Sequence, residues 1–372
     1  MNVGSTKEKL PEKRISITPE TCKNFKDLGL KVFLEKSYGE NLGYKDEDYK
    51  NNGAEILNTS NDVLKKSNLI CKVNFPSDED LNLIQDNSYL IISNLDQEKQ
   101  KSLFKNKINI FALNLLPRIT RAQSMDVLSS QANLAGYRAV IESIYEYEKA
   151  VPMMMTAAGT IPAAKILVVG AGVAGLQAIA TAKRMGAIVS ATDVRLTAKE
   201  QVESLGGKFL AVEGSENLET KGGYAKEAGE DFKRKQAEML ENAASKSDII
   251  ICTALIPGRT APRIINESII KKMKAGSVIF DLAVSQGGNS AYSEVDKIIV
   301  KNGIKIIGIA NVMNKLPLTA SNLYAKNLFS FVRNLYSKEK KQFVVNMEDE
   351  IIKNTLIKLK GSSWYGNRSI YI

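Results

Sequence analysis

Histidine is absent from all 372 residues of the chain. Histidine is the usual general acid–base at neutral pH and a frequent transition-metal ligand. Its absence therefore argues against the dehydrogenases of hydroxy acids and amino acids, which commonly need a proton donor beside the site of hydride transfer. Lysine, aspartate or tyrosine must take that part here, or the reaction moves no proton. No metal site is expected.

Cysteine is scarce as well, and Cys22, Cys71 and Cys252 lie far apart in the sequence. Their spacing fits neither a disulfide framework nor a metal-binding motif. We interpret them as buried thiols of a protein in a reducing cytoplasm.

The chain also lacks a long uninterrupted apolar run. Charged residues between Lys7 and Glu12 break up the N-terminus, so no signal peptide is expected. The nearest candidate for a membrane span, Ile166–Ala182, contains Gln177, Thr181 and three glycines. That composition favours a strand followed by a helix.

Lysine and arginine outnumber the acidic residues, which gives a formal net charge of +10. The lysines are spread along the whole chain, and no arginine-rich stripe interleaved with aromatic residues is present. Nucleic-acid binding is therefore not expected, and a solvated lysine-rich surface accounts for the charge.

Residues 165–193 have the layout of a dinucleotide site. Ile166–Val169 has the length and composition of a buried parallel strand. Gly170, Gly172 and Gly175 then occupy the glycine positions of GxGxxG. The first glycine permits a tight turn, the second lets backbone approach a pyrophosphate, and the third lets helix and strand pack closely. The N-terminus of the following helix would face the phosphates.

A second predicted strand, Ile188–Thr192, leads to Asp193. This carboxylate can accept hydrogen bonds from both ribose hydroxyls of an adenosine and would repel a 2′-phosphate, so NAD is favoured over NADP. Glycine-rich turns also serve close packing alone. The strand before the turn, the helix after it and the acid at this distance favour the dinucleotide interpretation.

Helix and strand patterns alternate along the rest of the chain. A helix is predicted from the N-cap Thr18 to about Leu28, ended by Gly29. One or two helices are predicted over Arg121–Lys149, and another over Ser321–Leu335. The further predicted strands are Lys31–Leu34, Leu69–Val73, Tyr89–Ile92, Ile108–Ala112, Asp248–Cys252, Ser277–Leu282 and Lys305–Ile307.

The expected fold class is α/β, with two doubly wound Rossmann-like domains that have parallel sheets. The first domain, residues 1–128, is expected to be discontinuous because residues 308–372 return to it. Residues 129–307 are expected to form the Rossmann domain that binds the nucleotide. The nucleotide cleft would lie between the two domains.

Two polar segments are candidates for the rest of a site. Glu213–Gln236 is a long connection with Gly222-Gly223-Tyr224 at its centre, and it suits a hinged flap or, alternatively, a solvated loop. Arg118–Ser129 is dense in polar groups. If the chain is helical from Arg121 onward, Gln123, Asp126 and Ser130 share one face that suits a carboxamide and a ribose. A helix of capping and salt-bridge residues is the alternative.

The sequence between Lys7 and Leu335 resembles the NAD(H)-binding domain of proton-translocating NAD(P) transhydrogenases. In that family this domain lies outside the membrane, is dimeric and holds NADH. Hydride passes directly to NADP⁺ on a partner domain, coupled to proton movement through a membrane domain. The segments that carry the resemblance are RITRAQSMDVLSSQANLAGYRAV, MMMTAAGTIPAAKILVVGAGVAGLQAIATAKRMGA, ATDVR, KEQVESLGGKF, GGYAKE, TALIPGR and DLAVSQGGN.

The resemblance implies a role for each matching residue. The candidate catalytic residues are Gln123, Asp126, Arg118 and Tyr224. The cofactor-binding residues around the nicotinamide ribose and carboxamide are Arg118, Gln123, Asp126 and Ser129. Those along the pyrophosphate and adenosine are Val173, Asp193, Val194 and Arg195, beside the three glycines of the turn. Gly223 and Tyr224 would belong to a loop that closes on the nucleotide, and Leu255 would flank the site.

Alanine dehydrogenase has the same fold, and this chain departs from it at the catalytic positions. The two are similar at Arg14 and Lys72, which hold the substrate in that enzyme. Its catalytic histidine, however, falls near Asn94–Asp96 and its catalytic aspartate at Ser285. Loss of both groups should abolish alanine or pyruvate chemistry. Transhydrogenation needs neither, because it protonates no carbonyl.

The sequence is therefore predicted to be the separately encoded NAD(H)-binding part of a transhydrogenase alpha subunit. The expected partners are an NADP(H)-binding beta subunit, a membrane-spanning second part of the alpha subunit and a second copy of the chain. Because the chain has no apolar span, we expect it on the cytoplasmic face of the bacterial inner membrane, bound through those partners. A self-sufficient NAD-dependent amino-acid dehydrogenase and a non-catalytic NAD-responsive binding module are the alternatives.

Overall fold

The computed structural model of the protein describes residues 1–95, 107–212, 230–256 and 259–359, together with the backbone of 362–363. The chain forms two compact units. The first unit comprises Met1–Gln131 and Met313–Ile372, and the second comprises Ala132–Val312. The sequence indicates boundaries at 128/129 and 307/308, and that assignment of domains stays a prediction.

The strands are short, as is usual in α/β folds. In chain order they are β1 (Asn2–Ser5), β2 (Lys31–Glu35), β3 (Ala54–Leu57), β4 (Leu69–Cys71), β5 (Tyr89–Ile92), β6 (Asn109–Ala112), β7 (Met154–Thr156), β8 (Gly159–Ile161), β9 (Lys165–Val169), β10 (Ile188–Thr192), β11 (Lys208–Phe209), β12 (Ile249–Cys252), β13 (Val278–Asp281), β14 (Lys297–Lys301), β15 (Ile304–Gly308), β16 (Tyr336–Ser337), β17 (Gln342–Phe343), β18 (Leu356–Leu359) and β19 (Ser362–Ser363).

Among the described helices, α5, α6, α8 and α10 are longer than the others. In chain order the α-helices are α1 (Pro19–Asp27), α2 (Asp46–Asn51), α3 (Ser60–Lys66), α4 (Asp78–Leu83), α5 (Val127–Glu146), α6 (Val173–Arg184), α7 (Ala198–Ser204), α8 (Glu230–Ser245), α9 (Glu267–Lys272), α10 (Pro317–Leu335) and α11 (Glu350–Thr355). No helix in the described ranges is long and apolar enough to cross a membrane.

In the first unit, eight described strands form one sheet in the order β19-β18-β6-β5-β4-β1-β2-β3. The strands from β6 to β3 are parallel, and β18 and β19 extend one edge in antiparallel fashion. Alternate residues of the central strands enter opposite cores, Leu69 and Cys71 on one face and Ile70 on the other. Both faces are therefore covered, as in a doubly wound sheet.

In the second unit, seven described strands form a sheet in the order β11-β10-β9-β12-β13-β15-β14. All neighbours are parallel except β14 and β15. The chain passes from β9 to β10 on one side, whereas β12 lies on the other side, so the strand order reverses between β9 and β12. Ligands of open α/β sheets bind at the carboxyl ends of the strands at such a switch point.

The α/β class and the doubly wound, mainly parallel sheets are confirmed, with the antiparallel pairs β14–β15, β6–β18 and β18–β19 toward their edges. β14 joins β15 through Asn302 and Gly303, with φ of 51° and 74°. These are the positive values of a type I′ hairpin turn, and an Asn-Gly pair between apolar runs is the sequence signal for it. A further hairpin, β7–β8, exposes the side chains of both of its strands.

The helix predicted over Arg121–Lys149 is only partly correct. Thr120–Met125 forms a 3₁₀-helix, and the α-helix starts afterwards, at Val127. Asp126 separates the two, with φ of −73° and ψ of 89°. Because this ψ is not helical, a single α-helical face cannot run through the segment.

Candidate functional site

The glycine turn follows β9 directly. Gly170 has φ of +97°, which favours glycine, and its N–H donates to the Thr192 carbonyl at 2.8 Å. A Cβ on Gly170 would lie 2.8 Å from Oγ1 of Thr253. That hydroxyl donates to the Gly170 carbonyl at 2.9 Å. The first glycine therefore makes the tight turn, as predicted, and lets it pass against the end of β12.

The other two glycines differ in what surrounds them. A Cβ on Gly175 would lie 1.9 Å from the Gly170 carbonyl oxygen, so glycine is needed for α6 to pack against the turn. A Cβ on Gly172 would meet nothing within 4 Å. The close-packing role of Gly175 agrees with these distances. The open space at Gly172 is compatible with the approach of a pyrophosphate, which stays a prediction.

Helix α6 begins at the turn. Gly172 is its N-cap and has no side chain to cap the first turn. The first N–H groups of a helix have no acceptor within the helix, and the macrodipole makes that end positive. Val173, the first helical residue, is 38% exposed. This helix end therefore suits an anion such as a phosphate group.

Asp193 follows β10, and its carboxylate is fully engaged. Oδ2 accepts the N–H of Ala171, in the glycine turn, at 2.7 Å. Oδ1 accepts the backbone N–H of Arg195 at 2.9 Å. The Arg195 guanidinium bridges both oxygens, with Nε 2.9 Å from Oδ1 and Nη2 2.8 Å from Oδ2. The acid is therefore at the glycine turn, as the sequence predicts, but in an ion pair that the sequence pattern did not indicate.

The protonation of Asp193 follows from these contacts. Burial alone would raise the pKa of this carboxyl, but the hydrogen bonds and charge of Arg195, with the N–H of Ala171, lower the pKa below its ordinary value. The side chains of Asp193 and Arg195 are only 7% and 17% exposed. A carboxylate is therefore maintained at neutral pH.

Two further predicted residues lie at the same edge of the sheet. Val194 is half-buried between Asp193 and Arg195. Leu255 follows β12 and is 41% exposed. The second unit thus brings together the glycine turn, the acid after β10 and the segment after β12.

Asn289 and Asp281, which were not among the predicted site residues, organise the neighbouring loops. The Asn289 side chain donates to the carbonyls of Ala254 and Pro262 at 2.8 and 2.9 Å and accepts the Ala254 N–H at 3.0 Å. Asp281 accepts the N–H groups of Ala283 and Ser290, both at 2.9 Å. Burial raises the pKa of Asp281. The sequence signal for these two residues is an acid at the end of a strand, Asp281, followed by Gly287-Gly288-Asn289.

In the first unit, Asp126 is a helix cap. Its Oδ1 accepts the Ser129 N–H at 2.9 Å, and its Oδ2 accepts the Ser129 hydroxyl at 2.5 Å. Arg121 pairs with Asp349, and Arg118 and Gln123 are exposed. The shared helical face predicted for Gln123, Asp126 and Ser130 is wrong, because the 3₁₀-helix ends before Asp126. Capping and ion pairing, the alternative interpretation, describe Asp126 and Arg121.

Other predicted residues lie outside the described part of the chain. Gly223 and Tyr224, the expected closing loop, belong to the undescribed residues 213–229. Within the residues that the structure describes, no group of three or more cysteine, aspartate or glutamate side chains is arranged to hold a metal ion.

The first unit has a buried charge cluster beside the ends of β1 and β4. Lys72 donates to the Thr6 and Lys7 carbonyls at 3.0 and 2.7 Å and pairs with Glu8 at 3.3 Å. Arg14 pairs with Glu12 at 2.7 Å. Burial raises the pKa of Glu8, although the charge of Lys72 opposes this. Arg14 and Lys72, the positions similar to alanine dehydrogenase, thus already have internal carboxylate partners.

Comparisons with known proteins cover nearly all of the chain. The family "Alanine dehydrogenase/PNT" matches in both halves, its N-terminal domain over residues 4–135 and its C-terminal domain over residues 139–365. The first part of NAD(P) transhydrogenase subunit alpha from Rhodospirillum rubrum is 48% identical, with 97% of each chain covered. The corresponding protein of Rickettsia prowazekii is 44% identical, covering 97% of this chain and 95% of its own.

A solved structure agrees with these relatives. Transhydrogenase from Sinorhizobium meliloti has a TM-score of 0.89 and 44% identity, covering 98% of this chain and 100% of its own. Alanine dehydrogenase of Methanococcus maripaludis is more distant, at 27% identity over 93% of this chain and 90% of its own. The chain therefore belongs to the alanine dehydrogenase/PNT family, on its transhydrogenase side.

Proposed function

We propose that this chain is the NAD(H)-binding component of a proton-translocating NAD(P)⁺ transhydrogenase. It would pass hydride directly between NADH and NADP⁺ held on a partner subunit. The main support is full-length identity of 48% to the first part of a transhydrogenase alpha subunit, against 27% to an alanine dehydrogenase. NADH would supply the hydride, and the residues of this chain would position it.

The second unit suits the pyrophosphate and adenosine half of NAD(H). Open space at Gly172 and the positive end of α6 would receive the pyrophosphate. Asp193 would accept hydrogen bonds from the hydroxyls of the adenosine ribose. The residues that would flank this part of the nucleotide are Val173, Val194, Arg195 and Leu255. Gly223 and Tyr224 would close over the nucleotide.

The nicotinamide half would depend on Arg118, Gln123, Asp126 and Ser129. The Ser129 hydroxyl donates its hydrogen to Asp126 at 2.5 Å. The lone pairs of the Ser129 oxygen can therefore accept a hydrogen bond from a ribose hydroxyl or a carboxamide N–H. Exposed Gln123 and Arg118 would hold the carboxamide and fix the ring. Catalysis is then mostly positioning with water excluded, which can supply several kcal/mol of barrier lowering.

The chain would have specific partners and a specific location. The chain would work with an NADP(H)-binding beta subunit and a membrane-spanning second part of the alpha subunit, as a Re/Si-specific enzyme coupled to proton movement. It would form a homodimer on the cytoplasmic face of the bacterial inner membrane. The relatives are named as one part of a divided alpha subunit, which supports the existence of partners.

Alanine dehydrogenase activity is the second candidate, favoured by Arg14 and Lys72. Against it, Ser285 stands where the resemblance puts that enzyme's catalytic aspartate, and the chain contains no histidine. Both cations are also bonded to Glu12 and Glu8. A carboxylate substrate would have to displace these partners.

The experiment mixes the purified chain with an NADP(H)-binding transhydrogenase subunit and follows reduction of an NADP⁺ analogue by NADH. We expect turnover with the partner, none by either protein alone, and no NAD⁺-dependent oxidation of alanine. Alanine oxidation by the chain alone would favour the dehydrogenase. NADH binding without turnover in either assay would favour a non-catalytic binding module.

A further inference from the structure

The carboxylate of Asp193 has no acceptor position left for a ligand in this structure. A carboxylate offers about four lone-pair positions. Here four N–H groups occupy them: those of Ala171 and Arg195 from the backbone, and Nε and Nη2 from the Arg195 side chain. Two of the four must be released before both hydroxyls of a ribose can bind.

The donors that can be released are those of the guanidinium. The backbone N–H groups are fixed by the glycine turn and by the chain that follows β10. The Arg195 side chain rotates about several bonds and is 17% exposed, so it can swing away from Asp193. Its Nε and Nη2 hydrogen bonds are the two that a ribose would replace.

We propose that the Arg195 guanidinium is an internal competitor for the adenosine ribose, and that Arg195 thereby sets the affinity and residence time of NADH. The inference rests on the proposed nucleotide site and adds a residue that determines its specificity. NADH binding exchanges an internal ion pair for two ribose hydrogen bonds. Part of the binding free energy is used to open that pair, which favours rapid release of the nucleotide.

The exchange also bears on the choice between NADH and NADPH. While the pair is closed, the charges of Asp193 and Arg195 cancel, so the carboxylate does not repel a 2′-phosphate. When the guanidinium leaves, the carboxylate is exposed to the ribose and opposes that phosphate. Discrimination by Asp193 therefore depends on the position of Arg195.

The test compares Arg195→Met with Arg184→Met, which removes the same charge from an exposed position at the end of α6. Each full-length variant is titrated with NADH, ADP-ribose and reduced nicotinamide mononucleotide, which lacks the adenosine half. In Arg195→Met we expect NADH and ADP-ribose to bind about fivefold more tightly, because the ligand no longer has to open the ion pair between Asp193 and Arg195. Dissociation should slow correspondingly. The mononucleotide and the Arg184→Met variant should show no such gain.

Two results would overturn the inference. Weaker binding of NADH and ADP-ribose in Arg195→Met would make Arg195 a direct ligand, and unchanged binding would make it a bystander. Nitrogen-15 NMR of the Arg195 Nε–H in the wild-type chain is a second measurement: its signal should change on saturation with ADP-ribose, and constancy would contradict the proposal. If the wild-type chain bound no NADH, the proposed function itself would fail instead.

Discussion

The two units have the same strand order around their switch points, but they use them differently. The first unit has β3-β2-β1-β4-β5-β6, and the second has β11-β10-β9-β12-β13-β15. In each, the order reverses between the first strand and the fourth. The chain that leaves β1 reads Thr-Lys-Glu-Lys, whereas the chain that leaves β9 reads Gly-Ala-Gly-Val. The topology is shared, and the residues at the strand ends are not.

These residues close one switch point and leave the other open. In the first unit, Lys72 after β4 bonds to the carbonyls of Thr6 and Lys7 after β1 and pairs with buried Glu8. In the second, Thr253 after β12 holds the Gly170 carbonyl, and the space at Gly172 stays clear. A fold thus supplies a place for a ligand, and the side chains decide whether the place is used.

The closed switch point should give the largest effect when it is broken. Lys72→Met leaves the Glu8 carboxylate buried without its cation, so we expect the free energy of unfolding to fall by about 3–5 kcal/mol. Urea denaturation measures this. Because removal of both charges avoids the unpaired carboxylate, Glu8→Gln combined with Lys72→Met should be less destabilised than Lys72→Met alone.

A matched control is Lys50→Met. Lys50 pairs with Glu47 at 2.7 Å, but both side chains are largely exposed, at 48% and 68%. Exposed pairs contribute little, so this variant should unfold almost as the wild type does. Equal losses for Lys50→Met and Lys72→Met would contradict the view that burial makes the first unit's cluster structural.

At the open switch point, alanine substitutions at Gly175 and Gly172 should have different effects. Gly175→Ala puts a methyl group against the Gly170 carbonyl, and we expect about 1–3 kcal/mol of destabilisation from that overlap. Gly172→Ala meets nothing in the protein, so its stability should change little, while its NADH dissociation constant should rise about tenfold or more because the methyl stands where a pyrophosphate would approach. Urea denaturation and fluorescence titration measure the two effects. Parallel changes in both variants would refute the distinction.

The sequence predicted features that depend on neighbouring residues. The strand Ile166–Val169, the glycine turn and the acid after β10 follow one another along a short segment, and each has its own local signal. The cap at Thr18 and the stop at Gly29 were found in the same way, since Gly29 has φ of +87°. Local chemistry therefore predicted most of the second unit's switch point.

Features that depend on competition between partners were not predictable in this way. The sequence correctly predicts that Asp193 lies beside the glycine turn. Whether its carboxylate oxygens accept hydrogen bonds from a ribose or from Arg195 depends on side-chain geometry that no spacing rule encodes. Asp126 was assigned to a helical face because polar residues recur there at helical spacing. The 3₁₀-helix ends one residue earlier and turns Asp126 into a cap. The antiparallel β14 is different, because Asn302-Gly303 is a local signal for the turn that reverses the chain before β15.

The contribution of the first unit to chemistry can be tested at Gln123, away from its closed switch point. Gln123→Asn shortens an exposed amide by one methylene. We expect hydride transfer to slow about tenfold through loss of ring positioning, with a much smaller change in NADH affinity. Stopped-flow transfer to an NADP⁺ analogue and equilibrium titration measure the two. Gln201→Asn, an exposed position on α7, is the control. Equal losses of rate and affinity would reduce Gln123 to a binding residue.

The smallest expected effect is a difference in pH dependence between the two buried carboxyls. The pKa of Asp193 is lowered from 3.8 despite its burial, because of Arg195 and the N–H of Ala171, so its stabilisation is complete above that value and is lost as the pH falls through the lowered pKa. Burial raises the pKa of Glu8 from 4.5, so its contribution is favourable in acid and is lost as the pH rises through the raised pKa.

Urea unfolding from pH 3 to pH 7, a range of about four units around these ordinary values, should therefore show opposite trends for Asp193→Asn and Glu8→Gln relative to the wild type. The stability lost in Asp193→Asn should shrink toward acid, whereas Glu8→Gln should gain on the wild type toward neutral pH. The result would be contradicted if stability relative to the wild type changed with pH in the same direction in both variants. In that case, either the first unit's switch point is not closed or the second unit's switch point is not open in the way that their contacts indicate.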